Sequence, residues 1–587
     1  MDTINLLDIH SPQDIKKMDV AQLNATAAAI RSALIRKLAA HGGHVGPNLG
    51  MVEATIALHY VFNAPTDKIV FDVSHQAYTH KMLTGRMPAF VEAERYDDVT
   101  GYTDPHENSE YDLFSIGHTS TSISLATGLA KARDLAGSHE NVVAVIGDGS
   151  LGGGMALEGL DFGATLGTNF IVVVNDNEMS IAENHGGLYA DLRLLRHTNG
   201  TAEPNIFRAM GYSYRYVEYG NDIARLIKAF EDVKDINHPV VVHIHTMKGL
   251  GLPVAEAHKE RFHWSMPFDP EIGAPLTPEA DDYTDIFARQ MLTRMASDHT
   301  VTVLTAGTPG AIGFTPSRRH AAGKQFVDVG ICEQQAVGMA AGMAKGGMKP
   351  MVGVAGTFLQ RAYDQLSHDL AINNLPAALC IFHTGIYGIP DETHLGFFDI
   401  PFISNIPNIL YLTPTCSEEY SAMLDWALDQ TSGPVAVRTP GGAVVSNPDC
   451  EIIADYSQPR YMIRRGGDQV AIIAVGSMYA VAEKAADILR AKGYEPTLIN
   501  PRNVTALDTT ALDTLAEYRI IITAEDGILD GGYGQKVAAY LGEAPVAVRC
   551  LGLKKEFLNE YNATKVAEQA CLTPEGIAST ALSYLER

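Results

Sequence analysis

The feature that most constrains the fold is an alternation of short, apolar, β-branched runs with longer segments of helical spacing. The runs occupy residues 142–146, 170–174, 240–245, 301–305, 377–383, 409–413, 470–475, 497–500 and 520–524. Ala-rich segments of helical spacing lie between them, at residues 120–133, 333–345, 480–491 and 534–541. Strands that alternate with helices favour parallel sheets covered on both faces. The sequence therefore predicts an α/β protein with doubly wound sheets.

The length of the chain and two changes in composition predict its division into domains. A chain of 587 residues is longer than a single hydrophobic core usually supports. A Pro-rich polar stretch occupies residues 264–283, and a second irregular stretch, 447–465, follows Pro440-Gly441-Gly442. We expect three α/β domains at residues 1–270, 280–447 and 460–587.

Charge and composition exclude several classes of partner. The chain carries 44 Lys and Arg against 69 Asp and Glu, and the net charge of -25 repels nucleic acid and anionic membrane surfaces. Its first residues lack the basic and apolar pattern of a secretory signal, and no apolar stretch reaches the roughly 18 residues of a membrane span. The six cysteines are scattered without a CxxC pair. We expect a cytoplasmic protein with no nucleic-acid or membrane partner.

A glycine-rich segment with one carboxylate follows the apolar run 142–146. The segment is Gly147-Asp148-Gly149-Ser150, and a helix-like stretch comes after it. A strand that ends in glycines before a helix lets backbone amides approach a phosphate. A carboxylate beside a diphosphate repels it unless a hard cation takes oxygen ligands from both. Taken alone, an Asp between glycines is as often a simple turn.

A second apolar run, 170–174, is followed by side chains with amide oxygens, as the run 142–146 is followed by Asp148. It leads into Asn175-Asp176-Asn177. If the two runs form adjacent parallel strands, Asp148 and Asn177 meet in one crevice at the carboxyl edge of the sheet. The ligand set contains only oxygen atoms, which suits Mg²⁺.

Longer motifs extend this pattern along the chain. They are Gly42-Gly43-His44, Asp72-Val73-Ser74-His75, Gly117-His118-Thr119, Asn175-Asp176-Asn177, Glu333-Gln334 and Thr357-Phe358. With them the sequence resembles the thiamine diphosphate enzymes of the transketolase group, whose cofactor motif is GDG followed by Asn. Within that group it is most similar to the 1-deoxy-D-xylulose-5-phosphate synthase family. The resemblance implies two thiamine-diphosphate-binding-fold domains followed by a transketolase C-terminal domain.

The same resemblance implies how thiamine diphosphate and Mg²⁺ are held. Asp148, Asn177 and the carbonyl of Met179 would hold the metal on the diphosphate. Glu333 would face the aminopyrimidine ring, where a carboxyl group promotes the imino tautomer, and Phe358 would stack on that ring. Without the resemblance, Glu333 would be read as a capping or surface residue. The other cofactor-binding positions it implies are His75, Gly117, His118, Thr119, Gly147, Gly149, Ser150 and Lys248.

Histidines supply the remaining candidates for chemistry. Six of them stand in polar or Gly-rich segments that we expect to be loops: His44, His75, His80, His118, His263 and His394. None shows the spacing of an HExxH-type zinc site. By resemblance, the catalytic candidates are His44, His263 and His394 together with Glu333. The substrate-binding candidates are His44, His75, His394 and Arg361.

The resemblance breaks down where the family binds the phosphate of its aldehyde acceptor. Arg361 occupies one such position, but Ala355, His383 and Gly441 stand where the family has Tyr, Arg and Arg. Each missing charge-assisted contact is worth about 1.5–3 kcal/mol. Pro390 replaces a family Asp, and Asp391 follows it. Whether the acceptor carries a phosphate is therefore left open.

Two enzymatic hypotheses follow from these residues. The first is a thiamine diphosphate-dependent transferase that forms a C–C bond between a 2-oxo acid such as pyruvate and glyceraldehyde 3-phosphate. The alternative is transketolase-like transfer from a ketose donor or to a different aldehyde. An inert paralogue conflicts with the presence of Asp148, Asn177 and Glu333, and an NAD-linked enzyme lacks the GxGxxG motif. We expect a homodimer, with the site either within one subunit or across the dimer.

Overall fold

Apolar runs form three β-sheets in this computed structural model, which describes residues 4–278, 281–464 and 466–586. The chain divides into two compact units. The first comprises residues up to 279 together with Gly330–Cys332, and the second comprises residues 280–329 and 333 onward. The predicted α/β class is confirmed. The predicted domain limits stay a prediction, and three of their residues, 1, 280 and 587, lie outside the described residues.

One parallel sheet organises the first unit. Its strands are β1 (Lys68–Phe71), β2 (Val142–Gly147), β3 (Phe170–Asp176), β4 (Ser213–Val217) and β5 (Pro239–His245). Their order is β1-β2-β3-β5-β4, and all neighbours run parallel. The central strands are apolar and buried because helices cover both faces. The carboxyl ends of β1, β2 and β3 consequently lie side by side at one edge.

Helices of the first unit cover this sheet and place polar side chains at its carboxyl edge. The α-helices are Pro12–Ile15, Val20–His41, Val45–Gly50, Val52–Val61, Tyr78–Lys81, Pro88–Val91, Pro105–Asn108, Ser122–Ala136, Asp148–Leu151, Gly154–Gly163, Gly187–His197, Ile206–Met210, Ile223–Glu231 and Pro253–Ala257. Among the described residues of the whole chain, no helix is both long enough and apolar enough to cross a bilayer.

Two sheets organise the second unit. Their strands are β6 (Val301–Thr305), β7 (Phe326–Asp328), β8 (Lys349–Ala355), β9 (Ala378–Phe382), β10 (Leu410–Leu412), β11 (Val435–Arg438), β12 (Met462–Arg464), β13 (Val470–Ala474), β14 (Thr497–Asn500), β15 (Ile520–Ile528) and β16 (Ala547–Leu553). The first sheet has the order β10-β11-β9-β8-β6-β7, and the second has β12-β14-β13-β15-β16. Every pair of neighbours is parallel except β12 with β14.

The α-helices of the second unit are Tyr283–Ser297, Pro316–Ala322, Glu333–Lys345, Gly356–Leu359, Asp399–Ser404, Ser417–Asp429, Met478–Ala491, Thr509–Asp513, Tyr533–Tyr540, Ala563–Gln569 and Pro574–Leu585.

A buried ion-pair cluster joins the two sheets of the second unit. At the end of β11, the Arg438 guanidinium donates to Asp399 at 2.7 Å and to Asp526 of β15 at 2.5 Å. Removing one member of such a buried pair typically costs about 3–5 kcal/mol. The cluster therefore fixes the carboxyl edge of β11.

One histidine that the sequence analysis assigned to a loop lies instead in a buried network. His80 belongs to helix Tyr78–Lys81, and its Nδ1 lies 2.9 Å from His59 Nε2. Its Nε2 lies 2.9 Å from Asp112 Oδ1, and Arg86 donates to the same carboxylate. The loop expectation for His80 was wrong because apolar neighbours such as Phe71 enclose the ring. Burial lowers the pKa of His80 and holds the pKa of His59 well below its usual value.

We expect this network to make the first unit sensitive to acid. Both histidines have a lower pKa when folded than the unfolded value of 6.5, so the unfolded chain binds more protons as the pH falls below that value. Stability is therefore present above pH 6.5 and is lost below it, by about 1–2 kcal/mol on reaching pH 5.5. Native-state hydrogen exchange of helix Val52–Val61 measures this loss. His59→Gln should reduce the pH dependence, whereas His139→Gln, at an exposed position, should preserve it. An opening free energy of wild-type protein that does not change between these pH values would contradict the prediction.

Candidate functional site

Asp148 lies buried at the carboxyl end of β2, where helix Asp148–Leu151 begins. Its side chain is 2% exposed, and its two oxygens accept hydrogen bonds from the Gly149 amide at 3.0 Å and from Asn184 Nδ2 at 2.8 Å. Burial raises the pKa of Asp148 well above its usual value, and the neighbouring Asp176 carboxylate raises it further. A Cβ placed on Gly147 would meet no atom within 4 Å, so open space lies beside the residue that precedes Asp148.

Asn177 follows β3 directly and lies at the same edge of the sheet. Strands β2 and β3 are parallel neighbours, with Gly147 opposite Asn175. Asn177 is buried, and its Oδ1 accepts from the Met179 amide at 3.3 Å. Adjacent parallel strands thus bring Asp148 and Asn177 to one carboxyl edge, as the sequence predicts, and their role as metal ligands stays a prediction. Carboxylate, amide and carbonyl oxygens are ligands that suit a hard divalent cation, and such an ion would offset the buried negative charge here. The residues present therefore fit a bound metal.

A buried acidic residue beside this edge was not assigned from the sequence. Asp176, the last residue of β3, accepts from the Glu178 amide at 3.0 Å and from His243 Nε2 at 2.9 Å, and it pairs with Arg196. Burial alone would raise the pKa of Asp176, but His243 and Arg196 hold it at about 2. Asp176 thereby anchors the turn that carries the predicted metal ligands. The sequence feature that could have identified Asp176 is its place between two Asn residues at the end of a predicted strand.

Three of the predicted histidines come together in the first unit. The ring of His44 lies 5.0 Å from that of His75 and 5.8 Å from that of His263, and the last two are 5.1 Å apart. Tyr102 packs against His44 at 5.6 Å. Burial holds the pKa of His263 well below its usual value, and nearby positive charge on Lys248 lowers it further. The His263 ring is therefore neutral at physiological pH.

Lys248 connects the histidine cluster with the turn that follows Met179. Its Nζ donates to the Ser180 carbonyl at 2.6 Å and lies 3.1 Å from His263 Nδ1. Burial lowers the pKa of Lys248 to about 7, although the Asp148 carboxylate opposes that shift. Lys248 is buried, so it is not an ordinary surface lysine, and its role at the cofactor stays a prediction.

A buried asparagine that sequence reasoning missed holds two of these histidines at their backbone. Asn48 Nδ2 donates to the carbonyls of His44 and His75, each at 2.7 Å. Its Oδ1 accepts from the Tyr78 amide at 2.9 Å. One side chain thus fixes two segments that are distant in sequence. The only sequence feature that indicated a role for Asn48 is its closeness to His44 in the chain.

The segment 117–119, which carries three of the implied cofactor-binding positions, lies next to the helix that begins at Asp148. Gly117 is buried, while His118 and Thr119 are half-buried, and all three precede helix Ser122–Ala136. Ser150 is buried, and its carbonyl accepts from Ser120 Oγ at 2.7 Å. The two glycine-containing segments are therefore held together at the carboxyl edge of the sheet.

In the second unit, Glu333 opens helix Glu333–Lys345 and is 3% exposed. Arg361 Nη1 lies 3.1 Å from its Oε2. Burial raises the pKa of Glu333, and the Arg361 charge partly opposes that rise. Arg361 is predicted to bind an acceptor phosphate, and in the structure its guanidinium pairs with the predicted catalytic carboxylate.

Phe358 and His394 also meet in the second unit. Their rings are 5.5 Å apart in an edge arrangement. His394 Nδ1 lies 2.8 Å from Thr393 Oγ1 and 3.7 Å from Asp391 Oδ1. Burial raises the pKa of Asp391, but hydrogen bonds from His394 and Thr393 outweigh this effect and hold it below its usual value. Asp391 therefore contacts His394, although it stands one position after Pro390, where the resemblance implies an Asp.

The three altered acceptor positions lie at the carboxyl edge of neighbouring strands. Ala355 ends β8, His383 follows β9, and Gly441 comes after β11. These strands are adjacent in the order β8-β9-β11. Burial lowers the pKa of His383, so none of the three positions holds a permanent positive charge. The Arg438 guanidinium at the end of β11 is committed to Asp399 and Asp526.

Comparisons with known proteins cover the whole chain. The family model described as 1-deoxy-D-xylulose-5-phosphate synthase matches residues 6–203, the transketolase pyrimidine binding domain matches 280–445, and the transketolase C-terminal domain matches 460–577. A curated 1-deoxy-D-xylulose-5-phosphate synthase from Symbiobacterium thermophilum is 38% identical, covering 100% of this chain and 95% of the relative. One from Desulforudis audaxviator is 37% identical, covering 99% and 98%. A solved transketolase from Campylobacter jejuni is 16% identical with a TM-score of 0.45, covering 96% of this chain and 100% of that one.

Proposed function

Because this chain belongs to the 1-deoxy-D-xylulose-5-phosphate synthase family, we propose that it decarboxylates pyruvate and joins the two-carbon unit to glyceraldehyde 3-phosphate. Family membership confirms the resemblance found in the sequence, and with it the class of thiamine diphosphate-dependent transferase. The observation that carries the specific reaction is similarity to curated synthases over at least 95% of both chains.

We assign cofactor binding to the carboxyl edge of the first unit and to the Glu333 region of the second. Asp148, Asn177 and the Met179 carbonyl would hold Mg²⁺ against the diphosphate, because their oxygens suit that ion. When bound, thiamine diphosphate supplies the electron sink for the reaction. Glu333 would hold a proton beside the aminopyrimidine, and Phe358 would pack against that ring. The remaining proposed cofactor contacts are His75, Gly117, His118, Thr119, Gly147, Gly149, Ser150 and Lys248.

Proton transfer to the substrates is assigned to His44, His263 and His394. A neutral imidazole can donate one proton and accept another, which suits work on carbonyl and hydroxyl oxygens. The low pKa of His263 keeps it in that form. His44, His75, His394 and Arg361 are the proposed substrate-binding residues, and Asn48 would keep His44 and His75 in place.

A second candidate function is transfer from a ketose donor, or to an aldehyde without a phosphate group. The observation that favours it is the carboxyl edge of β8, β9 and β11, where Ala355, His383 and Gly441 supply no permanent positive charge. Loss of two charge-assisted contacts weakens phosphate binding by several kcal/mol, at about 1.5–3 kcal/mol each.

Substrate profiling separates the two candidates. The purified chain is incubated with thiamine diphosphate and Mg²⁺, with either pyruvate or a ketose phosphate as donor and either glyceraldehyde 3-phosphate or glyceraldehyde as acceptor, and products are identified by mass spectrometry. The proposed synthase should release one CO₂ for each five-carbon phosphate formed. Release of CO₂ without a new C–C product would contradict the proposal. Product from a ketose phosphate donor without CO₂ would establish the second candidate, and Glu333→Gln protein serves as the blank.

The assembly and location of the protein also stay proposals. We propose a homodimer in the cytoplasm, as the sequence analysis expects. Analytical ultracentrifugation over a range of concentrations tests the assembly, and a mass equal to one 63.3 kDa chain throughout would contradict it.

A further inference from the structure

A buried carboxylate outside the proposed catalytic set holds the loop that carries Gly117, His118 and Thr119. Asp72 follows β1 and is 0% exposed. Its Oδ1 accepts from the Ser120 amide at 2.8 Å, and its Oδ2 accepts from the Ser122 amide at 2.9 Å. One side chain therefore fixes the backbone on the C-terminal side of the loop.

A second side chain on the same segment fixes the other side of the loop. Ser74 Oγ donates to the Ile116 carbonyl at 2.6 Å, immediately before Gly117. The same oxygen accepts from the Thr103 amide at 2.8 Å. Asp72 and Ser74 thus hold the loop from both ends, and His75 follows them directly in the chain.

The backbone that carries these contacts is strained. Val73 has a φ of 57°, Ser74 of 65° and Ser120 of 72°, all in the left-handed region. This conformation is unfavourable for a β-branched residue such as Val73. Such strain persists where surrounding contacts over-determine the conformation, and it concentrates at functional sites. The hydrogen bonds of Asp72 and Ser74 contribute to holding it here, together with the bond from Ser120 Oγ to the Ser150 carbonyl.

We propose that Asp72 and Ser74 are positioning residues that lock the 117–119 loop to His75 before the cofactor arrives. The inference rests on the proposed function, which makes both segments contacts of thiamine diphosphate. Two separate stretches of chain then present their groups to the cofactor in one arrangement, so binding does not have to order them.

The opposite end of the same strand offers a matched control. Asp67 precedes β1 and is 5% exposed. Its carboxylate accepts from the Asn141 amide at 2.7 Å and from the Asn63 amide at 2.6 Å. Asp67 and Asp72 therefore share chemistry and burial and flank the same strand, but only Asp72 holds the loop.

The first measurement uses cofactor-free protein and hydrogen exchange. In Asp72→Asn, the amide side chain keeps the shape of the carboxylate but turns an NH₂ group towards one of the two backbone donors. We expect the Ser120 or Ser122 amide to exchange at least about 10-fold faster, because one charge-assisted hydrogen bond is lost. Asp67→Asn should leave these amides unchanged. Equal exchange of the loop in the two variants would overturn the proposal.

The second measurement is thiamine diphosphate affinity by calorimetry in the presence of Mg²⁺. Asp72→Asn should raise the Kd at least about 10-fold, whereas Asp67→Asn should stay within about 2-fold of wild type. At saturating cofactor, the kcat of Asp72→Asn should lie closer to the wild-type value than its Kd does, because bound cofactor holds the 117–119 loop in place. Equal affinity in both variants would overturn the positioning role.

A milder variant keeps the test decisive if Asp72→Asn does not fold. Ser74→Ala should raise the Kd by about 3–10-fold and speed exchange of the loop, because it removes two neutral hydrogen bonds. No change in either quantity would overturn the proposal. Wild-type protein that fails to bind thiamine diphosphate would instead refute the proposed function, and the exchange data of the cofactor-free protein would still report on the loop.

Discussion

Replacing Glu333 by Gln should lower kcat by about 10²–10⁴-fold, the usual range for loss of a positioned proton-transfer group. The Gln side chain keeps the volume of Glu333 but cannot hold or release the proton. Steady-state turnover of pyruvate at saturating cofactor measures the effect. Cofactor affinity, measured separately by calorimetry, should change by less than about 10-fold, because the Gln still offers a hydrogen bond.

The chain supplies a matched control for this variant in the same unit. Glu419 lies near the start of helix Ser417–Asp429, is buried, and pairs with Arg502 at 3.3 Å. Glu419→Gln therefore also weakens a buried pair between Glu and Arg, and it should lower thermal stability without changing kcat. Comparable turnover of Glu333→Gln and Glu419→Gln would refute the catalytic assignment of Glu333.

Replacing Asp148 by Asn should weaken binding of thiamine diphosphate with Mg²⁺ by about 10–100-fold, because an anionic metal ligand is lost. The free energy of unfolding of the cofactor-free protein should increase. The pKa of Asp148 is higher in the folded protein than in the unfolded chain, so its charged form is disfavoured in the folded state at neutral pH. The neutral Asn removes that penalty.

Thermal unfolding in EDTA and calorimetry with Mg²⁺ measure the two effects of Asp148→Asn. Its Tm without cofactor should exceed that of wild type, while the affinity falls. Asp161→Asn, at an exposed position of helix Gly154–Gly163, should change neither quantity. A variant at position 148 with unaltered affinity would contradict the assignment of the metal site.

Most interior strands could be predicted from the sequence because they are buried on both faces, although the interior strands β8 and β11 fall outside the expected runs. The expected runs at 301–305 and 497–500 coincide with β6 and β14, and those at 142–146 and 170–174 begin where β2 and β3 begin. Several strands that the sequence did not reveal lie at sheet edges: β1, β4, β7, β12 and β16. An edge strand such as β4, with exposed Arg215, lacks the continuous apolar signal on which the prediction depends.

The candidate site was predictable only in part, for a related reason. Asp148 and Asn177 follow predicted strands, so the parallel topology alone brings them to one edge. The pairing of Arg361 with Glu333, and the contacts of Asn48 and Asp72, join segments that are distant in the chain. Such contacts depend on loop conformation, which no local pattern of apolar residues encodes.

The contact between Arg361 and Glu333 couples the binding of an anion by Arg361 to the protonation of Glu333. An anion that draws the guanidinium away from Glu333 removes a charge that lowers the pKa of that carboxyl, so Glu333 then retains its proton more readily. The dependence runs in both directions: the ionised carboxylate of Glu333 weakens the hold of Arg361 on any anion. Occupancy by an anionic substrate and the protonation state of the carboxyl thus form a single reciprocal equilibrium.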